Sequence, residues 1–453
     1  MSSRRVVITG MGWVTPLGHD IPTVWGRLLR GETGVGPITR FDAATWSTSF
    51  AAEVRDYRLG DLLPDASAHA HAALNTRFAL GAAAQAWTQS GLGRFAGLKK
   101  RRMGIYLGSG EGSLDFDPFA ATNLAAWDGE RRAVNDAAWA AAAYRNLDPH
   151  REVEQEPNMA LSHLALEFGC RGPASNCLTA CAASTQAIGE AYEIIRRGDA
   201  DVMFAGGAHS MIHPLGVTGF IRLTALSSRR DSCLTAARPF DITRDGFVMG
   251  EGAGMLVIET LEHARPRGAE PLAEIVGYGS SADAFRITDI QPEGKGAQAS
   301  MLKALRQAGI NPREPELPSS GPGVPPVSEP RPPVHYISAH GTGTQENDKI
   351  ESAGVKAVFG PLAPRIPVSS VKSMLGHLIA AAGVVELITC VQAIRTGFLP
   401  PTMNLQTPDP ECDLDYIPNK PRDERARGVE VCLSNSFGFG GQNDTLVVRR
   451  FRE

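Results

Sequence analysis

The sequence has no large excess of either charge sign, since its 453 residues include 45 lysines and arginines against 49 aspartates and glutamates. The formal net charge is −4. Such a balance produces no overall field that would attract nucleic acid or an anionic membrane. We therefore expect no nucleic-acid binding and no membrane insertion, and an acidic partner would need a local basic patch.

Long hydrophobic runs are also absent. A bilayer span takes about 20 apolar residues, whereas the longest run here, residues 378–391, is interrupted by Gly383 and Glu386. No hydrophobic leader precedes the first strand-like stretch, Val6–Thr9. These two features predict a cytoplasmic protein.

Cysteine is scarce, and the seven cysteines are an odd number without paired spacing. That pattern favours reduced thiols over a disulfide framework. Cys170, Cys177 and Cys181 have no matching pair of cysteines or histidines that would complete a zinc site. The glycines up to Gly12 do not form a dinucleotide fingerprint, because Thr15 stands where a third glycine belongs. The sequence therefore predicts neither a metal site nor a dinucleotide site.

What the chain does contain is a regular alternation of strand and helix patterns, which predicts an α/β fold with mainly parallel sheets covered by helices. The unit over residues 366–394 repeats the layout of the unit over residues 172–197: a short strand, a tight turn and a helix that opens with small residues. We predict two similar halves, residues 1–262 with a helical insertion at about 113–157 and residues 263–453 with a proline-rich insertion at about 311–333.

The central motif is Ser-Asn-Cys-Leu-Thr-Ala-Cys-Ala-Ala-Ser at residues 175–184, followed by a helical pattern to Arg197. Cys181 falls at the predicted strand-to-helix turn, where the positive end of the helix is expected to lower the thiol pKa from about 8.5. Its small neighbours leave room for a substrate carbonyl beside the sulfur and the backbone N–H groups. A single cysteine of this kind is more often a buried apolar residue, and two histidine motifs reverse that interpretation.

Both histidine motifs come at the ends of predicted strands, where open α/β sheets place their sites. His340 begins the run His-Gly-Thr-Gly-Thr, whose glycines and hydroxyls suit a polar ligand. His377 ends the run Lys-Ser-Met-Leu-Gly-His, in which the ammonium of Lys372 is expected to keep the imidazole neutral. Near the C-terminus, a glycine-rich stretch carries Phe437 and Phe439 as apolar walls of a possible ligand site.

Residues 179–184, 340–344, 372–377 and 435–441 together resemble the condensing enzymes. The closest likeness is to β-ketoacyl-acyl carrier protein synthase II and to the ketosynthases of polyketide pathways, and it runs from Val6 to Val448. The resemblance implies a thiolase-like fold, with two pseudo-equivalent halves forming a five-layer α-β-α-β-α core, in a homodimer. It implies an acyl carrier protein as partner and no cofactor beyond the phosphopantetheine that carries the substrates.

The same resemblance implies a role for each motif residue. Cys181 would take the acyl group, and His340 and His377 would stabilise the enolate formed when malonyl-acyl carrier protein loses carbon dioxide. The resemblance also places an oxyanion hole at the backbone N–H groups of Cys181 and Phe439, and an acyl gate at the Phe439 ring. Lys372 would position the two histidines and tune their pKa values, with Glu386 as a supporting acid. Thr342 and Thr344 would contact the pantetheine.

Several residues depart from the pattern of that family. Glu111 stands where an aliphatic residue usually lines the acyl pocket, and a buried carboxylate there is costly without a partner. Residues 66–77 lack the basic helix that usually meets the carrier protein and contain His69 and His71 instead. Gln442 replaces the usual threonine. These departures leave the acyl chain length and polarity open.

Four other members of this superfamily share parts of the pattern. A thiolase proper would need a second cysteine in the C-terminal glycine loop, and a type III synthase would pair one histidine with an asparagine; the chain matches neither. A chain-length-factor-like partner would lack the nucleophile, whereas Cys181 is present. A ketosynthase of a specialised polyketide or unusual-lipid pathway stays open, and we favour condensation in fatty-acid-type chain elongation.

Overall fold

The computed structural model of the protein describes residues 4–110, 114–229, 232–316 and 330–453. The strands of the N-terminal part are β1 Val6–Val14, β2 Gly36–Pro37, β3 Phe50–Ala51, β4 Met103–Ser109, β5 Trp127–Asp128, β6 Ala133–Val134, β7 Ala174–Cys177, β8 Val202–His209 and β9 Gly252–Thr260. The helices there are α1 Ile21–Leu29, α2 Leu74–Ser90, α3 Phe116–Ala126, α4 Asp136–Asn146, α5 Pro149–Val153, α6 Met159–Phe168, α7 Ala183–Arg197, α8 Pro214–Arg222 and α9 Leu261–Ala264.

The C-terminal part repeats this alternation with fewer elements. Its strands are β10 Ala273–Ala282, β11 Tyr336–Ser338, β12 Val368–Ser369, β13 Phe398–Leu399, β14 Arg422–Asp423, β15 Val431–Phe437 and β16 Gln442–Arg449. Its helices are α10 Lys295–Gln307, α11 Gln345–Phe359, α12 Lys372–Leu375 and α13 Ala382–Thr396.

The main strands pair in the order β12-β11-β15-β16-β10-β1-β9-β8-β4-β7. This order is symmetric about a short β1–β10 contact between Val6–Ile8 and Ala273–Ile275, so two equivalent sets of five strands meet there. The prediction of mainly parallel sheets is wrong. Among the described strands, β4 pairs in parallel with β7 and β8, and β11 pairs in parallel with β12 and β15, whereas the other five pairs of the main sheet are antiparallel. The β15–β16 pair shows one reason for the antiparallel pairing. A four-residue turn joins these two strands, and a tight turn joins only antiparallel strands.

The helices form three layers around the two sets of strands. α2 and α6 cover the outer face of the N-terminal strands, α10 and α11 lie over the C-terminal strands, and α7 and α13 pack together between them. This is the five-layer α-β-α-β-α core implied by the family resemblance. The division near residue 262 into two domains stays a prediction.

Helix α13 is almost entirely buried, with 13 of its 15 residues in the interior, whereas α7 buries ten of 15 and turns its charged residues outward. In the described residues, one helix, Ile379–Thr396, is long and apolar enough to cross a membrane, and 89% of it is buried inside the fold. Each central helix follows a 3₁₀ turn, Ala180–Ala182 or Ile379–Ala381. Cys181 lies in the first of these turns, and His377 lies two residues before the second.

The two predicted insertions are described to different extents. The tract after residue 113 contains α3, α4 and α5 with a small β5–β6 ribbon. In the proline-rich insertion, residues 317–329 lie outside the described residues, and the flanking Glu316 and Arg331 form an antiparallel bridge. The two ends of that segment therefore lie side by side.

Candidate active site

Cys181 lies where the sequence predicts, between strand β7 and helix α7. The intervening turn contains Ala180 at a φ of 47°, a left-handed conformation that is strained for a residue other than glycine. The Cys181 side chain is 3% exposed and packs in an apolar cluster with Ile212 and Phe247. The turn thus holds the thiol in a buried, mostly apolar chamber.

The predicted lowering of the Cys181 pKa is wrong for the free protein. Burial away from water raises the pKa of the Cys181 thiol to about 11. The ammonium of Lys372 and the backbone N–H of Phe439 act in the opposite direction without outweighing burial. The prediction considered the helix terminus alone, whereas the surrounding apolar side chains decide the direction.

His340 lies in the loop between β11 and α11, and two buried carboxylates of α11 hold that loop. Glu351 accepts hydrogen bonds from the backbone N–H groups of His340 at 2.9 Å and Gly341 at 2.8 Å. Asp348 accepts one from the N–H of Gly343 at 3.2 Å, where the φ of 81° requires glycine. The position of the His340 imidazole is therefore set by the helix behind it.

His377 follows α12, and its backbone donates to the carbonyl oxygen of Val248 at 2.7 Å and accepts from the N–H of Gly250 at 2.9 Å. Its Nδ1 accepts a hydrogen bond from the N–H of Ile379 at 3.2 Å, so the ring proton resides on Nε2. Nε2 is buried and has no hydrogen-bond partner among the described residues. Burial, assisted by the Lys372 ammonium, lowers the pKa of His377 well below its ordinary 6.5. His377 is neutral, as predicted, and offers one free N–H donor.

Lys372 lies against the back of His340. Its Nζ donates a hydrogen bond to the His340 carbonyl oxygen at 2.6 Å and lies 3.5 Å from Nδ1 of the same residue. Lys372 also forms a buried ion pair with Glu386 on α13. Burial lowers the pKa of His340 well below 6.5, and the nearby ammonium adds to this effect. An ammonium facing Nδ1 leaves the ring proton on Nε2, so His340 is a second neutral donor.

The three predicted reactive side chains meet in one chamber. The sulfur of Cys181 and a ring nitrogen from each of His340 and His377 lie within 4.8 Å of one another. The two imidazole centroids are 5.4 Å apart, with ring planes at 82°. A thiolate and two imidazoles suit a soft divalent metal, but the Lys372 ammonium beside His340 opposes a further cation. That the protein has no resident metal stays a prediction.

The glycine-rich loop after β15 approaches Cys181 from the other half. The backbone N–H groups of Phe439 and of Cys181 itself both point at the sulfur. This is the pair of donors to which the resemblance assigns the oxyanion hole. Gly441, with a φ of 77°, returns the chain into β16. The Phe437 ring packs edge-on to His340, with centroids 6.0 Å apart.

Thr342 and Thr344 line the cleft that leads to Cys181, with their hydroxyl oxygens 2.9 Å apart. A second groove lies outside this cleft. Phe439 and Thr344 line both of them. Phe439 therefore lies between the chamber and the surface, where a gate would be. Glu111, the remaining predicted site residue, is outside the described residues, so its part in substrate binding stays a prediction.

The sequence analysis missed residues that support the site from behind. Asp348 and Glu351 are one helical turn apart near the start of α11, directly after the His340 motif. Acidic residues near the start of a helix are a recognisable sequence pattern, which would have identified these two side chains. Arg244 is fully buried, donates to the carbonyl oxygen of Thr344 at 3.0 Å and pairs with Asp409 at 2.8 Å. No sequence pattern shows this contact, because its members are far apart in the chain.

The architecture and the site together define a class of protein. A duplicated five-layer α/β fold holds a cysteine at the start of one central helix. Two neutral histidines from the other half face that cysteine, and a glycine-rich loop supplies a backbone N–H group. This combination is that of a thiolase-like condensing enzyme.

Comparison with known proteins narrows the class. The Beta-ketoacyl synthase, N-terminal domain, matches residues 3–264, and the Beta-ketoacyl synthase, C-terminal domain, matches residues 330–406. The "3-oxoacyl-[acyl-carrier-protein] synthase 2" of Coxiella burnetii is 40% identical over 450 residues, covering 99% of each chain. The protein of the same name from Synechocystis sp. is 39% identical over 452 residues, covering 100% of this chain and 99% of its own. The chain belongs to the beta-ketoacyl synthase family.

Solved structures agree with this assignment. A beta-ketoacyl synthase from Burkholderia phymatum is similar with a TM-score of 0.84 and 31% identity, covering 99% of this chain and 100% of its own. The ishigamide ketosynthase/chain length factor and a type II PKS acyl-carrier protein in complex with its ketosynthase each give a TM-score of 0.81 at 31% identity over 100% of both chains. The fold is therefore shared along the whole length.

Proposed function

We propose that the protein catalyses the decarboxylative Claisen condensation of an acyl group carried on Cys181 with malonyl-acyl carrier protein, in fatty-acid-type chain elongation. The product is 3-oxoacyl-acyl carrier protein. The observation that carries the proposal is the approach of the Cys181 sulfur to the nitrogens of His340 and His377 within 4.8 Å. Full-length relatives named as 3-oxoacyl synthases support the same activity.

The first half-reaction loads the enzyme. The Cys181 sulfur attacks the acyl thioester carbon, a new carbon–sulfur bond forms, and the bond to the pantetheine sulfur breaks. The thiol proton of Cys181 leaves with the pantetheine thiol. The N–H groups of Cys181 and Phe439, which already point at the sulfur, stabilise the oxyanion of the tetrahedral intermediate.

The second half-reaction uses the two histidines. The Nε2–H donors of His340 and His377 hydrogen-bond the thioester carbonyl of malonyl-acyl carrier protein and stabilise the enolate formed as carbon dioxide leaves. The enolate carbon attacks the acyl carbonyl on Cys181, and the carbon–sulfur bond to the enzyme breaks. The released thiolate takes a proton and restores the thiol. Neutral rings suit this role, because the histidines donate hydrogen bonds without losing a proton.

The substrates would arrive on the phosphopantetheine arm of an acyl carrier protein, past Thr342 and Thr344, and no other cofactor is proposed. The carrier would dock near this entrance. His69, in the segment where the family usually presents a basic helix to the carrier, is buried and hydrogen-bonded to His163 at 2.8 Å and to Glu167 at 2.9 Å. Its ring is therefore engaged within the fold and does not offer the carrier a surface contact. The cytoplasm, where carrier-bound intermediates are made, is the proposed location.

The protein is proposed to act as a homodimer. β7 ends the order of the ten main strands, paired with β4, and its Ala174 and Ser175 are exposed. Leu178, the residue directly after β7, is a large apolar side chain that is 51% exposed. An open strand edge beside an exposed apolar side chain suits pairing with a second copy. Light scattering should give twice the 48.3-kDa chain mass.

The activity can be tested with purified acyl and malonyl carrier proteins. The wild-type chain should gain one acyl group by intact mass, release carbon dioxide and form 3-oxoacyl product. Cys181→Ala should lose loading and condensation, whereas Cys170→Ala, at a partly buried cysteine in another cluster, should retain both. A Cys181→Ala variant that still condenses acyl groups would refute the assigned nucleophile.

A further inference from the structure

Asn347 lies on the first turn of α11, where the cleft to Cys181 meets the groove outside it. It lines both of these spaces, together with Ile290, Thr344 and Phe439. Asn347 is 3% exposed, so its side chain belongs to the wall of the passage and not to the outer surface. A substrate arm that reaches Cys181 through the groove must therefore pass this asparagine.

The amide oxygen of Asn347 is buried and has no hydrogen-bond partner in the described part of the chain. The amide nitrogen Nδ2 donates to the Asp348 carboxylate at 3.1 Å. That carboxylate also accepts from the backbone N–H groups of Phe240 at 2.8 Å and Gly343 at 3.2 Å, so it faces Asn347 as an acceptor and fixes the nitrogen on that side. Because buried polar groups are normally paired, the unpaired oxygen indicates a missing donor.

A hydroxyl donor lies in the same cleft. The hydroxyl oxygens of Thr342 and Thr344 are 2.9 Å apart, so one hydroxyl donates to the other. The hydroxyl that accepts keeps its own proton, and neither hydroxyl hydrogen-bonds to the Asn347 oxygen among the described residues. The cleft therefore offers a ligand one hydroxyl proton and one amide oxygen, both uncharged and both on the way to Cys181.

A secondary amide has both groups that this pair can bind. Its carbonyl oxygen accepts from a hydroxyl, and its N–H donates to an amide oxygen such as Oδ1 of Asn347. A carboxylate has no proton for Oδ1, and an ester lacks the N–H. The pantetheine arm contains two secondary amides, whereas a saturated acyl chain contains none. The polar groups of the cleft therefore suit the arm and not the acyl chain.

We propose that Asn347 binds the pantetheine arm of the substrates, with Oδ1 accepting a hydrogen bond from one amide N–H while a threonine hydroxyl donates to the carbonyl oxygen of the same amide. This inference rests on the condensing function proposed above. The contact supplies the missing donor to Oδ1 and fixes the arm at one depth relative to Cys181. A thioester without that N–H leaves Oδ1 unpaired and should load about tenfold more slowly.

The experiment measures loading of Cys181 by intact mass, using the full chain and three octanoyl-pantetheine thioesters. One has both amides, and each of the others has an ester in place of one amide, which exchanges an N–H for an oxygen. The wild-type chain should load one of the two esters about tenfold more slowly than the parent. Asn347→Leu should load the parent more slowly and lose most of this ratio. Asn311→Leu, at an exposed asparagine, is the matched control and should keep the wild-type ratio.

The possible outcomes separate this inference from the proposed function. Equal loading of all three thioesters by the wild type would overturn the Asn347 contact and leave the condensing function intact. An Asn347→Leu variant with an unchanged ratio would also overturn it, because the amide N–H would then have another partner. Loading of no thioester on Cys181 would contradict the condensing function itself. If Asn347→Leu does not fold, the wild-type ratio and Asn347→Ala, which removes the same oxygen, decide the question.

Discussion

The ammonium of Lys372 and the carboxylate of Glu386 form an ion pair that is buried behind His340. The same ammonium donates to the His340 carbonyl oxygen at 2.6 Å, so one cation fixes the loop of one histidine to central helix α13. Oε1 of Glu386 accepts from Lys372, and Oε2 has no hydrogen-bond partner in the described structure. The pair therefore links the stability of the central layer to the geometry of the site.

Removal of one member of this pair should be costly. Lys372→Met leaves the Glu386 carboxylate buried without its cation, and the free energy of unfolding should fall by about 3–5 kcal/mol in urea titration. The double variant with Lys372→Met and Glu386→Leu removes both charges and should recover most of that loss. Condensation should stay impaired in both variants, because the Lys372 ammonium no longer holds the loop of His340 in place. A double variant no more stable than the single one would show that the ion pair has no such role.

His377→Ala should separate the two half-reactions. The variant loses one of the two N–H donors to the malonyl thioester, so carbon dioxide release should fall by about 100- to 1,000-fold. Loading of Cys181 should continue, since the oxyanion donors for that step are backbone groups. Labelled carbon dioxide and intact mass measure the two steps on one sample, with His150→Ala as a surface control. Equal loss of both steps would contradict the assignment of His377 to the malonyl thioester.

The pH dependence of thiol reactivity tests whether burial raises the pKa of Cys181. With a pKa near 11, the rate of Cys181 alkylation by iodoacetamide should keep rising from pH 7 to about pH 10, without a plateau. Lys372→Met removes a charge that lowers this pKa, so alkylation at pH 8 should be slower. Mass spectrometry of the Cys181 peptide gives the rate, with Cys233 as an internal reference. A plateau below pH 7 would show that the helix terminus outweighs burial after all.

Local patterns predicted the elements that position the site. Apolar spacing gave the end of α7 at Arg197, and the repeated layout anticipated the two central helices. The structure extends that repeat to the backbone: Ala180 and Ile379 precede equivalent helices with φ values of 47° and 46°, and both helices end at a left-handed glycine. Cys181 therefore corresponds to Ala380 in the other half, so only the N-terminal of these two turns contains a nucleophile.

What could not be predicted depends on contacts between distant residues. Strand direction in β9 and β16 follows from how the chain returns to the sheet, which apolar runs do not specify. The pKa of Cys181 depends on side chains such as Ile212 and Phe247, which only the fold brings together.

Stability should decline between about pH 4 and pH 7 because of buried carboxyl groups. Burial raises the pKa of Asp444 from 3.8 to about 7, while Tyr278 donates a hydrogen bond to it at 2.8 Å. A raised pKa means that the native state binds the proton more tightly than the unfolded state. The contribution is therefore fully present below the unfolded pKa and is lost as the pH rises through about 7, at roughly 1.4 kcal/mol per pH unit.

Asp444→Asn isolates this effect, because the amide oxygen can still accept from Tyr278 while the charge is gone. The variant should be stabilised relative to wild type at pH 8 and gain little at pH 4, with urea unfolding as the measurement. The exposed Asp117→Asn, the same substitution at the surface, serves as the control. A gain for Asp444→Asn that is equal at pH 4 and pH 8 would mean that Asp444 titrates alike in the native and unfolded states.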